Sequence, residues 1–465
     1  MVVKPPAITK HMRIGTGRNA ISCRSLAPRR DDKYDAVAAL METAMSDEHA
    51  PSGPQAALPM ERLPRIAPSA GFNMLGGVNV LDLTTSIAGP FATQLLADFG
   101  ADIVKVERPG TGDDARAWGP PFLDGESLWF LSVNRNKRSL ALDYTKPDGA
   151  AVLRELIAKS DVLVLNQPPR VAAKFGLDAE SVRQLRPDII YVSITGFGLD
   201  GERSDWPCYD LIAEGYSGVM DLTGEAGREP QKIGAPAADM LAGQDAAMAA
   251  LAALYERARS GTGRVVDIAL VDSMTRFLAC RIVPYLGSGE VPRRTGAKDS
   301  VIAIYQAFDT ADDPITLGLG NDAIWKRFWV AVGRPERAED ASTATNKDRR
   351  ARRAEIAADI AALIKTKPRV HWLSLFREAR IPSGPINRVD EVAADSTLLQ
   401  RGLLYTLDDG ARAVPQVGLG IRIDGAASQP RRRPPLLGEH SEEILRELLG
   451  YDDDKIGTLR RQKIV

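Results

Sequence analysis

The carboxylate of Asp239 is the side chain of this sequence with the clearest potential for chemistry. It lies in a stretch of Gly, Ala and Pro at residues 234–243, and the Ala-rich run that follows has Asp245 as its only charged side chain before Glu256. A helix that is apolar on every face is usually buried, and Pro236 disfavours helix in the residue before it. We therefore predict a buried helix with Asp239 at or near its N-cap. A carboxylate in that place can cap the helix or react as a nucleophile, and this stretch alone leaves both roles open.

The other reactive side chains are weaker candidates. Asp245 lies about one and two-thirds turns farther along the predicted helix and faces away from its start. An aspartate with an ordinary pKa of about 4 is ionised at pH 7, so Asp239 needs no general base. The cysteines, Cys23, Cys208 and Cys280, are far apart and odd in number, which predicts no disulfide framework and fits a reducing cytoplasm. The four histidines are scattered, so we predict no metal site.

The length and the composition of the chain limit the classes of protein to which it can belong. The chain has 465 residues, which predicts two or three domains. Its 60 basic and 61 acidic residues indicate neither a nucleic-acid partner nor a membrane partner. Apart from the weakly hydrophobic Ala-rich stretch, no apolar run reaches the length of a membrane span. We expect a cytoplasmic protein.

The first 72 residues differ from the rest. The first thirty are basic, with no acidic residue before Asp31, and a series of prolines from Pro51 to Pro68 marks a linker. The basic segment fits an organellar presequence or an unstructured extension. We interpret residues 1–72 as a flexible extension, in which residues 33–45 could form one short helix.

Strands and helices alternate in the pattern from residue 78 to residue 270, and these elements must position Asp239. Such alternation favours parallel strands joined by right-handed crossovers. We predict an α/β fold with an open, mostly parallel, Rossmann-like sheet and helices on both faces. The predicted strands are Val78–Thr84, Asp102–Glu107, Asp161–Leu165, Asp188–Ile194 and Gly263–Leu270.

Ligands of such sheets bind at the carboxyl ends of the strands. The loops there are rich in Gly, Pro, Asn and Arg, which suits a polar, phosphate-bearing ligand. Residues 196–201 fit G-x-G-x-x-G, but the segment that follows is a poor helix former, so we interpret these glycines as loop residues and not as a dinucleotide site. The predicted ligand loops are Thr84–Pro90, Arg108–Asp113, Asn166–Arg170 and Thr195–Gly201.

A series of short motifs runs in order from about Gly76 to the C-terminus. The motifs are Val-Leu-Asp-Leu at 80–83, Ala-Gly-Pro at 88–90, and the segments 96–107, 136–143, 191–198, 209–213, 217–220, 263–270, 381–385 and 437–440. Each motif is weak alone, but the ordered series is specific. Together they resemble the class III CoA-transferases (the CaiB/BaiF family), which include formyl-CoA transferase and carnitine CoA-transferase.

The resemblance implies a large domain built from both ends of the chain, a smaller inserted domain, and two chains interlocked as a homodimer. With the sequence pattern, it places a flexible extension at residues 1–72 and the first part of the large α/β domain at 73–290. The small α+β domain falls at 298–380. A linker and the return to the large domain occupy 381–465.

The resemblance also implies the site. Asp239 stands where the family has its catalytic aspartate, which is acylated by an acyl-CoA and then carries CoA as an aspartyl thioester. The implied substrates are an acyl-CoA and a carboxylic acid, with no tightly bound cofactor. Ile87 replaces a glutamine of formyl-CoA transferase, which argues against formyl and oxalate specificity. The residues implied in CoA binding are Arg108 and Lys174 near the adenine-phosphate end, Asn166, Ile87 and Ala88 near the pantetheine and thioester, and Tyr209.

Two alternatives remain at this stage. The same fold hosts α-methylacyl-CoA racemases, which use a His in a Gly-His-Asp segment together with an Asp. Here that segment is Cys208-Tyr209-Asp210, and a tyrosine with a pKa near 10 is a poor proton carrier at neutral pH. The other alternative is a CoA-binding relative without turnover.

Overall fold

The computed structural model describes residues 57–465, and a six-stranded sheet organises much of this part of the chain. Every neighbouring pair of strands is parallel, so the prediction of an open parallel α/β sheet is confirmed. Numbered in chain order, the strands lie in the order β3-β2-β1-β4-β5-β6. The order reverses between β1 and β4, which is where ligands of such sheets bind. The strands β1 to β6 are Asn79–Leu83, Asp102–Glu107, Lys137–Ala141, Val162–Leu165, Ile190–Thr195 and Val265–Ala269.

Strand β3 was not predicted from its sequence. The central strand β4 is Val-Leu-Val-Leu and is buried throughout, as expected for a strand covered on both faces. By contrast, β3 begins with Lys137 and Arg138, which do not give an apolar run. Both side chains are nevertheless buried, because Lys137 pairs with Asp82 of β1 and Arg138 pairs with Asp102 of β2. Strand β3 is therefore buried through ion pairs with its neighbouring strands, and for this reason it lacks the apolar run by which a buried strand is predicted.

Three helices frame the site: α1 (Ala88–Asp98), α2 (Asp210–Ser217) and α3 (Ala237–Ser260). The segment after β6 forms two helices that meet at Leu278. Within residues 57–465, no helix combines the length and the apolar character needed to cross a bilayer. The other helices are Leu128–Ser132, Pro147–Lys159, Pro169–Lys174, Ala179–Leu185, Val219–Leu222, Leu270–Phe277, Ala279–Ser288, Asp322–Ala331, Pro335–Ala338, Asn346–Ala351, Arg353–Ile364, Arg369–Glu378, Val389–Ala393, Ser396–Gln400, Ser441–Leu449 and Asp453–Arg461.

Helix α3 buries one face and exposes the other. Small residues on the buried face let the helix approach α1 so closely that a Cβ added to Gly243 would lie 2.6 Å from the carbonyl oxygen of Ala88. On the opposite face Met248 and Tyr255 are 56% and 68% exposed. The prediction that α3 is buried on every face is therefore wrong for the single chain.

We expect Gly243→Ala to destabilise the protein by about 1–3 kcal/mol, because the added methyl group meets backbone that cannot turn aside. The matched control is Gly287→Ala, also within a helix, where an added Cβ meets nothing within 4 Å. Alanine there should be neutral or stabilising by up to about 1 kcal/mol. Urea unfolding of both variants measures the difference, and equal midpoints would contradict close contact between α1 and α3.

A separate core lies within residues 304–381 and is rich in aromatic side chains, including Trp325, Phe328 and Trp372. Its antiparallel sheet consists of Tyr305–Phe308, Ile315–Gly318 and Ser383–Pro385. The C-terminal helices instead share a core with the parallel sheet, through side chains such as Ile444 and Leu459. These separate cores support our proposal of a large domain built from 73–290 and 381–465, with a small domain at 298–380 inserted.

The described residues before 73 are not an unattached extension. Strand Arg65–Ile66 pairs in parallel with strand Leu404–Asp408, which pairs antiparallel with strand Ala413–Val417. The prediction of a flexible extension to residue 72 is therefore wrong for 65–66, because their backbone groups join this sheet. The predicted basic presequence and short helix lie outside the described residues. Two further short hairpin pairs are Phe122–Leu123 with Glu126–Ser127, and Arg422–Ile423 with Ala426–Ala427.

Candidate active site

A cavity of about 260 Å³ lies at the carboxyl ends of the parallel strands. Its lining comes from the segments that follow β1, β2, β4, β5 and β6 and from the first turn of α3. This is the position expected for ligand binding in a sheet of this strand order. The lining includes Thr85, Ser86, Ala88, Asp114, Asn166, Pro168, Thr195, Gly196, Trp206, Cys208, Tyr209, Asp239 and Leu270.

Asp239 lies in the first turn of α3, and it does not cap the helix. The N-cap position is Pro236, whose side chain has no hydrogen-bond acceptor. The carboxylate of Asp210 supplies that acceptor instead. Its Oδ1 atom accepts hydrogen bonds from the N–H groups of Ala238 at 2.8 Å and of Asp239 at 3.4 Å. Since Asp210 satisfies two of the unpaired N–H groups at the helix start, the side chain of Asp239 is left facing the cavity. Asp239 therefore lies near the N-cap, as predicted, but of the two roles left open by the sequence the capping role belongs to Asp210.

The setting of Asp239 alters its acidity. Burial, followed by the nearby negative charge of Asp210, raises the pKa of Asp239 to about 7. This corrects the expectation of an ordinary pKa, because a carboxylate away from water and beside a like charge loses stabilisation. The group is then a stronger base when ionised, and it changes protonation within the neutral pH range. Strongly shifted groups in a cleft mark candidate functional sites.

Three further residues predicted in the site line this cavity: Ala88, Asn166 and Tyr209. Ala88 is the first residue of α1, and Tyr209 is 67% exposed at the start of α2. The amide of Asn166 is occupied within the chain. Its Oδ1 accepts from the N–H of Thr85 at 3.0 Å, and its Nδ2 donates to the carbonyl of Thr85 at 2.8 Å. Asn166 therefore holds the Thr85 loop in place.

The other three predicted residues lie outside the lining. Ile87 is 2% exposed, so its apolar side chain is buried and does not line the cavity. Arg108 is exposed, donates to the carbonyl of Gly112 at 3.2 Å and pairs with Asp114, which itself lines the cavity. Lys174 is exposed at the end of its helix. Arg108 is therefore next to the cavity through Asp114, whereas Lys174 is not among the lining residues.

Buried charges support the loop after β1, and sequence reasoning missed them. Ser86 has a left-handed backbone conformation, with φ of 70°, and its N–H donates to Asp113 at 2.9 Å. Asp113 in turn pairs with Lys105 of β2 at 2.8 Å, with both side chains fully buried. Lys105 also donates to the carbonyl of Thr84 at 2.8 Å. This network fixes a loop conformation that residues other than Gly rarely adopt.

The glycines of 196–201 form a loop, as predicted. Gly196 is required by close packing, because an added Cβ would lie 2.1 Å from Cβ of Cys208. Burial, then the charges of Asp239 and Asp210, raise the pKa of the Cys208 thiol to about 11. A neutral thiol is a weak nucleophile, so Asp239 is the better candidate for covalent chemistry in this cavity.

A larger cavity, of about 640 Å³, shares no lining residue with the first. It is bounded by Leu222, Arg281, residues 295–299 and parts of the small antiparallel sheet. Its one lining carboxylate, Asp299, is paired with Arg281 at 3.0 Å. Asp239, which lines the smaller cavity, is therefore the stronger candidate for covalent chemistry.

The strand order and the cavity at the strand ends place the chain among α/β proteins that bind a ligand at that edge of the sheet. Residues 75–441 match the model of CoA-transferase family III. The chain belongs to this family, and it is a CoA-transferase. CoA thioesters are the substrates of such enzymes.

Similar proteins extend over most of the chain. Succinyl-CoA:glutarate CoA-transferase of Mus musculus is 38% identical over 388 residues, which cover 83% of this chain and 88% of that protein. Succinate–glutarate CoA-transferase of Agrobacterium fabrum is 39% identical over 381 residues, which cover 80% of this chain and 95% of that protein. The crystal structure of a CaiB/BaiF family protein from Brucella suis has a TM-score of 0.72 at 38% identity and covers 81% of this chain and 100% of that one.

Proposed function

We propose that the protein moves CoA from an acyl-CoA to a carboxylic acid, with Asp239 as the covalent nucleophile. The observation that carries this proposal is the Asp239 carboxylate itself. It faces a cavity at the strand ends, and no donor among residues 57–465 hydrogen-bonds to its side chain. An unoccupied carboxylate with a raised pKa can attack a thioester without a general base.

The reaction proceeds through two anhydrides and one thioester. The carboxylate of Asp239 attacks the acyl-CoA carbonyl, forms a mixed anhydride and releases CoA thiolate. The thiolate attacks the aspartyl carbonyl, which releases the donor acid and leaves CoA on Asp239 as a thioester. The acceptor carboxylate attacks that thioester and frees CoA thiolate, which then takes the acceptor acyl group. Asp239 is regenerated, and no net proton is consumed.

The local structure supports these steps. Partial burial removes water from Asp239, which strengthens it as a nucleophile and protects an anhydride from hydrolysis. Backbone N–H groups of the Thr85–Ala88 loop are candidates to stabilise the oxyanion, each worth roughly 10²–10³ in rate. The Thr85 and Ser86 N–H groups are already bonded to Asn166 and Asp113. Stabilisation from this loop would therefore come from the groups that follow them.

For the acids, we propose short dicarboxylates, with succinyl-CoA as donor and glutarate as first acceptor to test. The support is the activity named for the mouse and Agrobacterium relatives. A matrix of acyl-CoA donors and acids, read by mass spectrometry of the CoA esters, identifies the pair.

The covalent step is tested by trapping. Incubation with succinyl-CoA followed by hydroxylamine should convert Asp239 to a hydroxamate, which peptide mass spectrometry locates. Asp245, on the same helix but paired with Ser273 and Arg276, is the internal control and should stay unmodified. Modification elsewhere, or none at all while CoA transfer proceeds, would refute Asp239 as the nucleophile.

The pKa of Asp239 sets an expected pH dependence. Because only the ionised carboxylate attacks, kcat/KM should fall about tenfold per pH unit well below pH 7, with a midpoint near 7. An aspartate with an ordinary pKa would give full activity down to about pH 5. Initial rates between pH 5 and 9 distinguish the two, provided the acceptor acid is ionised throughout.

We also propose that the enzyme is a homodimer. Several large apolar side chains are exposed on consecutive helices, including Met248, Tyr255, Phe277, Val283 and Leu286. Large apolar side chains that are exposed on consecutive helices are candidates for an interface with a second chain. Light scattering coupled to gel filtration should give twice the chain mass.

A further inference from the structure

A fully buried acid lies behind the pair formed by Asp210 and Asp239. Glu214 follows Asp210 by one turn of α2 and is 0% exposed. Its Oε2 atom accepts a hydrogen bond at 2.9 Å from the N–H of Ile233, in the segment that leads into α3. Its Oε1 atom has no hydrogen-bond donor among residues 57–465. A buried polar atom without a partner is costly, so it calls for an explanation.

The carboxyl of Asp210 is the neighbour that explains it. Two ionised carboxylates offer only acceptors and cannot hydrogen-bond to each other, whereas one proton turns their contact into a hydrogen bond. Glu214 stands four residues after Asp210 on α2, so the two carboxyls are neighbours on one face of the helix. Burial raises the pKa of Glu214, and the charge of Asp210 raises it further, against the Ile233 N–H and the charge of Lys232.

We propose that Glu214 is a positioning residue that keeps a proton at neutral pH and donates it to Asp210. The donated hydrogen bond orients Asp210 so that its other oxygen meets the N–H groups at the start of α3. Asp239 is in that first turn, so its carboxylate is held toward the cavity. The catalytic consequence rests on the proposed role of Asp239 as nucleophile, but the protonation of Glu214 does not.

Two variants of matched size test this inference. Glu214→Gln keeps a donor for Asp210 and an acceptor for Ile233, whereas Glu214→Leu keeps neither. We expect Glu214→Gln to retain kcat within about twofold and to leave the midpoint of the acid limb of kcat/KM unchanged within about 0.2 pH unit, since no charge is removed. Glu214→Leu should lower kcat and the rate of trapping at Asp239 by about tenfold or more.

Infrared spectroscopy at pH 8 reads the proton directly. The carbonyl stretch of a buried protonated carboxyl should be present in the wild type and absent in Glu214→Gln, whether or not Asp239 is the nucleophile. If this band is missing from the wild type, or if Glu214→Gln moves the acid limb down by half a pH unit or more, Glu214 is ionised and the proposal is wrong. Wild-type activity in Glu214→Leu would also overturn it. Failure of trapping in the wild type, with the band present, would refute the nucleophile alone.

Discussion

Asp239→Ala should lower kcat by about 10⁴-fold or more, since covalent catalysis ends when its nucleophile is removed. The other candidate nucleophiles of the lining are poor replacements, because the Cys208 thiol is neutral at pH 7 and the Asp114 carboxylate is paired with Arg108. Steady-state CoA exchange between succinyl-CoA and glutarate measures the loss. The matched control is Asp245→Ala on the same helix, which should cost less than about tenfold because Asp245 is paired outside the cavity.

The same substitution should stabilise the fold at alkaline pH, which separates lost chemistry from lost structure. The pKa of Asp239 is about 7 in the folded state, compared with 3.8 as the ordinary value. Between these pH values the folded state binds more protons than the unfolded state, so stability falls as pH rises through that window. Asp239→Ala removes this penalty and should gain on the order of 2 kcal/mol at pH 8, with little gain near pH 4. A destabilised variant at pH 8 would contradict the burial of an unpaired charge.

Asp82→Asn should destabilise the protein by about 3 kcal/mol or more, because it leaves a buried lysine without its carboxylate. Asp82 is fully buried in β1, and Lys137 of β3 lies 3.1 Å from its Oδ2 atom. Burial raises the pKa of Asp82, but Lys137 and Lys105 outweigh it and hold that pKa below its ordinary value. Burial lowers the pKa of Lys137 to about 8, against the opposing effect of Asp82.

Removing the Asp82 carboxylate should also disturb the loop that lines the active-site cavity. Asp82 accepts the N–H of Thr84 at 2.9 Å, and Thr84 opens the loop that lines the cavity. The matched control is Glu225→Gln, whose partner Arg228 lies 3.9 Å away with both side chains about three-quarters exposed. That change should cost less than about 1 kcal/mol. Urea unfolding at pH 7 compares them, and a similar small loss in both would mean that the buried pair contributes little.

The parallel α/β sheet and the region of the site could be predicted from the sequence pattern. The apolar pattern of strands such as Val162–Leu165, and of the helices between them, indicates which faces are buried. Few folds are compatible with alternating strands and helices of this kind. The ordered motifs predicted the family, which the match over 75–441 shows. They also singled out Asp239, which the structure places in the cavity at the strand ends; its catalytic role stays a proposal.

The role of each polar side chain could not be predicted, because it depends on groups that are distant in the sequence. Asp210 caps a helix that begins 27 residues after it, Asn166 binds the backbone of Thr85, and the charges of β3 are buried by strands β1 and β2. Local periodicity reports burial, but it does not report which distant group supplies a hydrogen bond or a charge. For the same reason, the ordinary pKa expected for Asp239 was wrong: its shift comes from burial and from the charge of Asp210, which only the packing of α2 against α3 brings together.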